Sequence, residues 1–462
     1  MKNKELRKEV WKTFFKGKKI TVIGLGLLGR GVGDVEFFAR EGAKLIVTDL
    51  KTKLQLKKSL DKLKKYKNIR YTLGRHKFED FENRDFVLKA AGVPLDSPYI
   101  LHAKKFGVPV YMSTSLFAKM TKGIIVGVTG TRGKTTVAYM LYKILCDAHK
   151  GKKRKIFLGG NIQGMATLPL VSKVKKGDVA VLELDSWQLQ GFGDMKISPQ
   201  ISVFTTFMPD HLNYYKHNLG VYFSDKANIF KNQKAGDVLI AGEQVKTLSK
   251  NLKRCFPKKT KFVSKQMLPN EVCMKIPGEH NKYNAAIAYI AARSLKISHK
   301  DIIQSLSSFK GASGRLEKIT TANKFDVYND TTSTTPEALK VALEALGKKR
   351  NIVLIMGGSD KMINLSILKK LIAKYVKSVF LIPGTGTDRM LKEKIIAKTV
   401  KIFQLKNFDL IVKSALDCAK KGDTTLFSPG FASFGMFKNE YDRGEKFVSL
   451  VQKYKKQKTA PR

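Results

Sequence analysis

The sequence predicts an α/β protein with three domains, on three grounds. Short apolar runs alternate along the chain with stretches in which apolar residues recur at helical spacing. Several apolar runs end in glycine-rich or polar turns, as the strands of parallel sheets do when helices cover both faces. At roughly 150 residues per domain, a chain of 462 residues suggests about three domains. We expect their boundaries at 1–112, 113–311 and 312–462.

The first domain begins with a strand, a glycine turn and a helix. The apolar strand Lys19–Ile23 leads into the G-x-G-x-x-G turn Gly24–Gly29. A second strand, Leu45–Thr48, ends at Asp49, about 20 residues beyond the glycines. This pattern predicts a Rossmann-like domain, in which a diphosphate lies at a helix N-terminus and a carboxylate lies near a sugar or base.

The central domain is predicted from a second glycine loop. The strand Ile124–Val126 precedes the sequence G-V-T-G-T-R-G-K-T-T at Gly127–Thr136, and a helical pattern follows. The backbone N–H groups of such a loop bind phosphate, Lys134 can reach the outer phosphates, and the Thr135 hydroxyl can bind Mg²⁺. Val128 stands where a strict P-loop has glycine. The loop therefore predicts a P-loop ATPase-like domain with a mainly parallel sheet, without defining the reaction.

More polar residues follow the other predicted strands of the central domain. One strand ends at Glu183, and the strand Ile201–Phe204 leads to Asp210 and His211. The helix beyond them carries Lys226. Ligands of open α/β sheets bind at the carboxyl ends of the strands, so we expect these side chains and the glycine loop to share one crevice. A strand-end carboxylate there can hold Mg²⁺.

The third domain is also predicted to be α/β and Rossmann-like. Polar turns at Thr331–Thr335, Gly357–Lys361 and Ser428–Ser433 follow predicted strands, which suggests a second ligand face. Ahead of this domain, Asn281 and Asn284 lie at the start of a predicted helix. Their side chains could cap that helix or contact the edge of an adenine, and the sequence leaves both readings open.

The composition narrows the class of protein. The formal net charge is +49, from 87 Lys+Arg against 38 Asp+Glu. The basic residues are spread over the chain and no nucleic-acid motif is recognisable, so we favour a general bias over specific nucleic-acid binding. No apolar run reaches the roughly 20 residues of a membrane helix, and the N-terminal segment lacks the apolar centre of a signal peptide. Four scattered cysteines fit a reducing compartment, and we expect a cytoplasmic protein without membrane insertion.

The order of the motifs resembles that of the Mur ligase family over nearly the whole chain. The motifs are G-T-R-G-K-T-T, E-L-D-S-W-Q-L, D-H-L, H-N-K-Y-N, G-R-L-E, N-D-T-T-S-T-T-P-E-A, G-G-S-D-K and S-P-G-F-A-S-F-G-M-F-K-N-E-Y-D-R-G-E-K-F. The resemblance implies an ATP-dependent ligase of peptidoglycan synthesis that joins D-glutamate to UDP-N-acetylmuramoyl-L-alanine through an acyl phosphate. It also implies ATP, two Mg²⁺ ions and a monomer.

The resemblance assigns roles to individual residues. The ATP site is implied at Gly130, Thr131, Arg132, Gly133, Lys134, Thr135, Thr136, Asn281, Asn284, Arg315 and Asp330. The UDP-linked substrate is implied at Leu27, Leu28, Asp49, Lys51, Asn161, Gln188 and His211. The amino-acid substrate is implied at Thr334, Lys361 and Ser433, and Mg²⁺ at Thr135, Glu183, His211 and a carbamylated Lys226. The implied catalytic residues are Lys134, His211, Lys226 and Arg315.

Several positions depart from the pattern of the family. They are Arg132 in place of Asn, Asp185 in place of Ser, Thr206 in place of Asn, Asn213 in place of Asp, Thr332 in place of Lys and Glu440 in place of an aromatic residue. Since Thr332 removes a cation near the phosphates, we hypothesise that Arg132 supplies the missing charge.

Three other functions can be weighed against this one from the sequence. The change at Glu440 allows another Mur-type or folylpolyglutamate-type ligase that adds a different amino acid. A degenerate fold that binds anionic polymers is opposed by the intact Lys134, Glu183 and Lys226. An NAD-dependent dehydrogenase would leave the second glycine loop without a role.

Overall fold

The computed structural model describes residues 11–27, 29–211, 214–251, 255–322, 325–348, 350–433 and 435–459. The chain divides into two compact units. The first unit consists of Met1–Met267 and Ala286–Ile302, and the second consists of Leu268–Ala285 and Ile303–Arg462. Two of the residues singled out above, Leu28 and Asn213, lie outside the described residues.

The first sheet has five parallel strands in the order β3-β2-β1-β4-β5. The strands are β1 (Lys19–Ile23), β2 (Lys44–Asp49), β3 (Ile69–Leu73), β4 (Phe86–Lys89) and β5 (Val110–Tyr111). The helices of this region are α1 (Trp11–Phe14), α2 (Arg30–Arg40), α3 (Lys57–Leu63), α4 (Pro98–Lys105) and α5 (Ser113–Met120). The strand order reverses between β1 and β4, which is where open α/β sheets form a crevice.

The second sheet has six parallel strands in the order β11-β10-β9-β6-β8-β7. The strands are β6 (Ile124–Thr129), β7 (Ile156–Gly160), β8 (Val179–Glu183), β9 (Ile201–Phe204), β10 (Val238–Gly242) and β11 (Lys261–Val263). The helices that follow are α6 (Lys134–Ala148), α7 (Ser186–Asp194), α8 (Leu219–Ala227), α9 (Glu243–Asn251), α10 (Glu279–Ser294) and α11 (His299–Ser307).

The third sheet is mixed, with the order β12-β13-β17-β14-β15-β16. Only β12 is antiparallel to its neighbour among the described strands of this sheet. The strands are β12 (Glu317–Ala322), β13 (Phe325–Asn329), β14 (Ile352–Gly357), β15 (Val376–Ile382), β16 (Lys401–Gln404) and β17 (Thr424–Phe427). The helices are α12 (Pro336–Leu346), α13 (Ser366–Tyr375), α14 (Thr385–Lys392), α15 (Phe408–Cys418) and α16 (Glu440–Thr459).

The core of the third sheet shows why its strands are apolar throughout. Ile352, Leu354 and Met356 of β14 pack into one hydrophobic cluster, while Val353 and Ile355 pack into another. Successive side chains of a strand point to opposite faces, so both faces of this sheet are covered. At the edge, β16 is exposed along its whole length, and its Phe403 stacks on Phe380 with ring centroids 4.4 Å apart.

The predicted fold class is confirmed, with small shifts at element ends. Two parallel sheets and one mixed sheet carry the strands that the apolar runs predicted. The strand predicted to end at Glu183 is Val179–Glu183, so Glu183 is its last residue. The helix predicted to carry Lys226 is Leu219–Ala227. In the described part of the chain, no helix is both long and apolar enough to cross a bilayer.

Candidate active site

The second glycine loop has the backbone that a phosphate site requires. Gly133 is the N-cap of α6 in the left-handed conformation, at φ 85°, and no side chain caps the helix. Gly130 has φ 145°, and a Cβ atom there would lie 2.0 Å from Thr205 Oγ1. Only glycine can therefore occupy position 130 without moving the loop. The first N–H groups of α6 can receive an anion.

The loop is held against the end of β9 by two threonines. The Thr131 N–H donates to the Thr206 carbonyl at 2.7 Å, and the Arg132 N–H donates to Thr206 Oγ1 at 2.9 Å. Thr205 Oγ1 donates to the Arg132 carbonyl at 2.5 Å. Thr206, one of the departures from the family pattern, is thus a structural clamp for the residue at the loop tip.

Two lysines converge on one carbonyl of the loop. Lys134 Nζ donates to the carbonyls of Gly130 at 3.0 Å and Thr131 at 3.1 Å. Lys226 Nζ donates to the same Gly130 carbonyl at 2.9 Å and lies over the Tyr222 ring. Lys226 is 2% exposed, and burial together with the charge of Lys134 holds its pKa well below the ordinary value. The two lysines therefore lie against the same carbonyl of the loop, and burial disfavours a second positive charge there.

Glu183 offers a buried carboxylate next to the loop strand. It pairs in register with Val128, two residues before Gly130, and is 3% exposed. Its Oε1 accepts a long hydrogen bond from Asn161 Nδ2 at 3.5 Å, and its buried Oε2 has no hydrogen-bond partner among the described residues. A buried carboxylate oxygen without a donor suits a cation, so the residues present fit Mg²⁺.

A magnesium ion there would need other ligands besides protein carboxylates. The described residues contain no group of three or more His, Cys, Asp and Glu side chains that could hold a metal. Thr135, the second residue of α6, is partly buried and supplies the hydroxyl predicted for the first ion. Mg²⁺ commonly takes few protein ligands and completes its shell with water and substrate phosphates.

His211 lies in a strained turn beside the loop. Its φ is 53°, its ring packs on Trp187 with centroids 4.8 Å apart, and its Nε2 lies 3.9 Å from Asp210 Oδ2. Burial, aided by the charges of Lys134 and Lys226, lowers the pKa of His211 despite the opposing effect of Asp210. The imidazole is therefore neutral near pH 7, the form that binds metals.

Asp210 links His211 to the loop tip. Its Oδ2 lies 3.8 Å from Arg132 Nη1. Burial opposes its ionisation, but the charges of His211 and Arg132 and a backbone hydrogen bond together lower the pKa of Asp210. The predicted Arg132, Asp210 and His211 thus form one group at the mouth of the crevice.

A contact that the sequence did not reveal joins Glu183, through Asn161, to the residue that follows the first glycine turn. Arg30 Nη1 donates to Asn161 Oδ1 at 2.6 Å, and the Asn161 N–H donates to the Glu183 carbonyl at 2.7 Å. Arg30 is the first residue of α2, directly after the first turn, as Lys134 directly follows the second. That shared position was the signal that could have identified Arg30.

The first glycine turn borders a cavity in the first unit. Leu27, which is 52% exposed, and Arg30 lie in its wall. Asp49 Oδ2 accepts from the Gly26 N–H at 3.0 Å and its Oδ1 from the Lys51 N–H at 2.9 Å. The Asp49 carboxylate therefore binds the turn directly and also holds the backbone of Lys51.

Gln188 lies in the wall of the same cavity but already has a structural role. Its N–H donates to Asp185 Oδ1 at 2.7 Å, and its Oε1 accepts from the Asp185 N–H at 3.2 Å. These two bonds form a capping box at the start of α7. Asp185, a departure from the family pattern, thus caps a helix.

Two buried ionisable residues of this cavity were also missed. Asp34 Oδ1 accepts from Ser113 Oγ at 2.9 Å, and burial raises the pKa of Asp34 to about 7. Lys89 Nζ donates to the Val93 carbonyl at 2.5 Å, and burial lowers the pKa of Lys89 to about 8. Neither residue belongs to a motif, and only burial distinguishes them.

The second unit holds the residues predicted for the amino-acid substrate. Lys361 Nζ donates to Thr334 Oγ1 at 3.0 Å, and both line a shallow depression with Phe431. The Ser359 N–H donates to the Ala432 carbonyl at 3.0 Å, which brings the loop of Ser433 alongside. These loops follow β13, β14 and β17, so the polar turns predicted to form a second ligand face lie together at one edge of the sheet. We call this depression the amino-acid cavity.

The remaining predicted residues of the second unit are largely engaged in its structure. Asp330 accepts from the Leu316 N–H at 3.1 Å and from Ser428 Oγ at 2.7 Å, and burial raises its pKa to about 7. It thereby positions the turn that carries Arg315. Asn281 Nδ2 donates to the Pro277 carbonyl at 2.6 Å.

The side chains of two further residues form hydrogen bonds with the backbone of the turn that carries Arg315. Thr332 Oγ1 donates to the Gly314 carbonyl at 2.9 Å, and Glu317 Oε2 accepts from the Gly314 N–H at 2.8 Å. Thr332, which replaces a lysine of the family pattern, therefore binds the backbone beside Arg315. Asn284 is buried in α10.

Comparison with known proteins identifies the class. Three family models match: the MurD-like N-terminal domain of Mur ligases over residues 18–112, the Mur ligase middle domain over 128–267, and the Mur ligase glutamate ligase domain over 314–431. The chain belongs to the Mur ligase family and is a ligase. The predicted family and the predicted class of enzyme are both confirmed.

The chain is similar to curated enzymes named UDP-N-acetylmuramoylalanine–D-glutamate ligase. It is 35% identical to that of Borreliella burgdorferi (strain ZS7), over 94% of this chain and 98% of the relative. It is 32% identical to that of Clostridioides difficile (strain 630), over 95% and 99%.

Solved structures share the fold. The ligase MurC of Thermotoga maritima superposes with a TM-score of 0.63 at 19% identity, covering 95% of this chain and 100% of that one. The ligase MurF of Thermotoga maritima, solved with ADP, superposes with a TM-score of 0.58 at 17% identity, covering 99% and 100%.

Proposed function

We propose that the protein joins D-glutamate to UDP-N-acetylmuramoyl-L-alanine at the expense of ATP, as a step of peptidoglycan precursor synthesis. The full-length similarity to ligases of that name supports the substrates. One structural observation carries the proposal. Two lysines contact the glycine loop, and next to it lies a carboxylate oxygen of Glu183 that has no hydrogen-bond partner among the described residues. Since the reaction consumes ATP and a soluble nucleotide-linked precursor, we place it in the cytoplasm.

The first step would form an acyl phosphate. A carboxylate oxygen of UDP-N-acetylmuramoyl-L-alanine attacks the γ-phosphorus of ATP, and the bond to the β–γ bridging oxygen breaks to release ADP. The loop Gly130–Thr136 would hold the phosphates, with Lys134 and Arg315 offsetting their charge. Such chemistry depends mainly on positioning and charge neutralisation, and this loop provides both.

The second step would form the amide bond. The amine of D-glutamate attacks the acyl carbon, loses a proton, and displaces inorganic phosphate. Lys361, Thr334 and Ser433 would bind the amino acid, where an ammonium and two hydroxyls favour carboxylates. The hydrogen bond between Lys361 and Thr334 supports this role because it fixes the ammonium at the cavity.

Magnesium would supply positive charge at the phosphates when bound. Thr135 and Glu183 would hold one ion, and His211 with Lys226 would hold the other. Lys226 could serve only as a carbamate, since an ammonium repels a cation. Burial beside Lys134, with both ammoniums on the Gly130 carbonyl, supports this modification because it would remove one of two adjacent charges.

The remaining assignments follow the family. Asn281, Asn284 and Asp330 would contact the nucleoside of ATP. Leu27, Leu28, Asp49 and Lys51 would hold the uridine diphosphate, while Asn161, Gln188 and His211 would face the muramoyl-peptide end. We further propose domains at 1–112, 113–311 and 312–462, acting as a monomer.

Phosphate release from ATP tests the function. The assay combines the purified protein, ATP and Mg²⁺ with UDP-N-acetylmuramoyl-L-alanine, with D-glutamate, and with both. We expect release only with both substrates. A panel of D-glutamate, L-glutamate, D-glutamine, D-alanine and L-alanine then identifies the amino acid. Release with neither substrate, or only with another amino acid, would contradict the proposal.

A further inference from the structure

Arg443 is the largest fully buried side chain among the described residues of the protein. It lies in α16 and is 0% exposed. Arginine is rarely buried without a carboxylate partner, because removing its charge from water is costly. The proposed function gives this residue no role. Its surroundings therefore call for an explanation.

The guanidinium joins the ends of two strands. Its Nε donates to Thr331 Oγ1 at 3.3 Å, and its Nη2 donates to the Thr331 carbonyl at 2.8 Å. Its Nη1 donates to the Phe431 carbonyl at 3.2 Å. Thr331 follows β13 and Phe431 follows β17. Arg443 thus ties together the loops that form two walls of the amino-acid cavity.

The approach of α16 to these loops is built into the helix. Gly444 follows Arg443, and a Cβ atom at position 444 would lie 2.5 Å from Thr331 Cγ2. Thr331 Oγ1 in turn donates to the Glu440 carbonyl at 2.7 Å. The start of α16 is therefore fastened to the Thr331 loop by three hydrogen bonds, which fix the position of the guanidinium.

The charge of Arg443 is opposed by burial and favoured by the carboxylate of Glu440, one turn earlier in α16, and burial prevails, lowering the pKa of Arg443 to about 10. Its hydrogen-bond acceptors are a hydroxyl and two carbonyls, and among the described residues no carboxylate forms an ion pair with it. Asp360, the acidic residue in the cavity wall, is instead paired with Arg389 at 2.8 Å. In a poorly solvated interior the field of a charge is screened less than in water, and the guanidinium binds the carbonyl of Phe431, which lines the cavity.

We propose that Arg443 is a positioning residue that sets the preference of the amino-acid cavity for an amino acid with a second carboxylate. Its hydrogen bonds hold the Thr331 and Phe431 loops in position, and its positive charge adds to that of Lys361. This inference rests on the proposed function and gives a physical reason for a dicarboxylic amino acid. The ligand class is an α-amino acid with an anionic side chain.

Steady-state kinetics of the full-length protein test the proposal. Arg443→Met keeps the length of the side chain but removes its charge and its hydrogen bonds. We expect KM for D-glutamate to rise about 10-fold, the scale of one charge-assisted hydrogen bond, with KM for ATP unchanged. The preference for D-glutamate over D-glutamine should fall by a similar factor. Arg443→Lys should restore part of that preference.

A control separates this effect from a general loss of charge. Lys377 pairs with Asp423 at 2.6 Å, and Asp423 directly precedes β17, at the end of the strand opposite Phe431. Lys377→Met removes a cation from the same unit and should leave KM for D-glutamate and the preference unchanged. Equal losses with D-glutamate, D-glutamine and ATP in Arg443→Met would overturn the proposal, as would an unchanged preference.

A second variant covers failure of Arg443→Met to fold, judged by circular dichroism and melting temperature. Thr331→Val removes one acceptor of Arg443 and should raise KM for D-glutamate about 3-fold; an unchanged KM would refute the role. The wild-type panel comes first. If the wild type uses another dicarboxylic amino acid, the proposed function fails and the Arg443 variants are assayed with that amino acid. If it uses only a neutral one, the Arg443 proposal also fails.

Discussion

The two glycine turns of the first unit have almost the same local geometry and opposite electrostatic settings. Gly29 and Gly133 are both left-handed N-caps, at φ 82° and 85°, and neither helix has a side-chain cap. A basic residue follows each glycine, Arg30 in one case and Lys134 in the other. Both turns thus present uncapped N–H groups to a ligand.

The difference lies in what stands behind each turn. The Gly26 N–H of the first turn is already bound to the Asp49 carboxylate. The Gly130 carbonyl of the second turn accepts from Lys134 and from the buried Lys226. A carboxylate suits hydroxyl and N–H groups of a sugar or base, whereas the Lys134 ammonium suits a polyphosphate. The comparison teaches that side chains from other elements, rather than the turn itself, select the ligand.

Substitution of one glycine in each turn should show the largest difference between the two turns. Gly130→Ala should lower turnover by about 10³-fold, because a Cβ would strike Thr205 Oγ1 at 2.0 Å and displace several phosphate donors. Gly26→Ala has open space, so it should cost only about 1 kcal/mol of stability, from its φ of 67°. Phosphate release and thermal melting measure the two effects. Equal losses of turnover in both variants would contradict the comparison.

Arg132 tests whether the tip of the second loop takes part in charge neutralisation. Arg132→Ala should reduce kcat by about 10²-fold, the usual cost of one electrostatic donor. Its guanidinium lies 3.8 Å from Asp210, which places it at the mouth of the crevice. Arg132→Lys is the matched control and should recover much of the rate. Wild-type turnover of the alanine variant would rule out the hypothesis that Arg132 replaces the cation missing at Thr332.

Arg30 tests the first turn in the same way. Arg30→Met should raise KM for the UDP-linked substrate about 10-fold, because Asn161 Oδ1 loses a charge-assisted donor at the cavity wall. KM for ATP should not change. Arg40→Met, at the exposed end of the same helix, serves as the control. A rise in KM for ATP alone would place Arg30 with the second turn instead.

We expect the smallest effect on activity from substitution of Asp34. Asp34 is a buried acidic residue of α2, whereas the buried residues of α6 include no acidic residue. The pKa of Asp34 is about 7 in the folded protein against an ordinary value of 3.8, so the stabilisation belongs to the protonated form. It is complete below about pH 4 and is lost as the pH rises through 7.

Urea unfolding of Asp34→Asn measures this dependence. Between pH 5 and pH 8, the wild type should lose up to about 3 kcal/mol of unfolding free energy relative to the variant, at about 1.4 kcal/mol per pH unit. Ser113→Ala should widen the difference, since the Ser113 hydroxyl stabilises the ionised carboxylate. Parallel pH profiles of wild type and Asp34→Asn would contradict the prediction.

Much of the fold and part of the site followed from local pattern. The glycine turns and strand ends were predictable because the carboxyl ends of parallel strands meet at one edge of a sheet. That logic located Glu183, Lys134 and Lys361. It gave no account of Asp185 or Thr206, whose capping and clamping bonds depend on backbone groups that a sequence does not display.

Contacts between distant parts of the chain were beyond the sequence. Arg30 and Asn161 are 131 positions apart, and Arg443 and Thr331 are 112 apart. Nothing periodic connects such pairs. The burial of Asp34 and Lys89 likewise depends on packing between elements, and the residues look ordinary in the sequence. The missed residues are therefore those whose roles come from tertiary structure.

The exposed strand β16 and the large net positive charge together determine how the protein behaves in concentrated solution. An open strand edge with exposed Ile402 and Phe403 is a template for pairing between molecules. Mutual repulsion between chains of formal charge +49 keeps such edges apart in dilute buffer. Near 1 M salt the Debye length falls to about 3 Å and this colloidal protection disappears. Concentrated stocks should therefore remain dispersed at low ionic strength and cloud as salt is added.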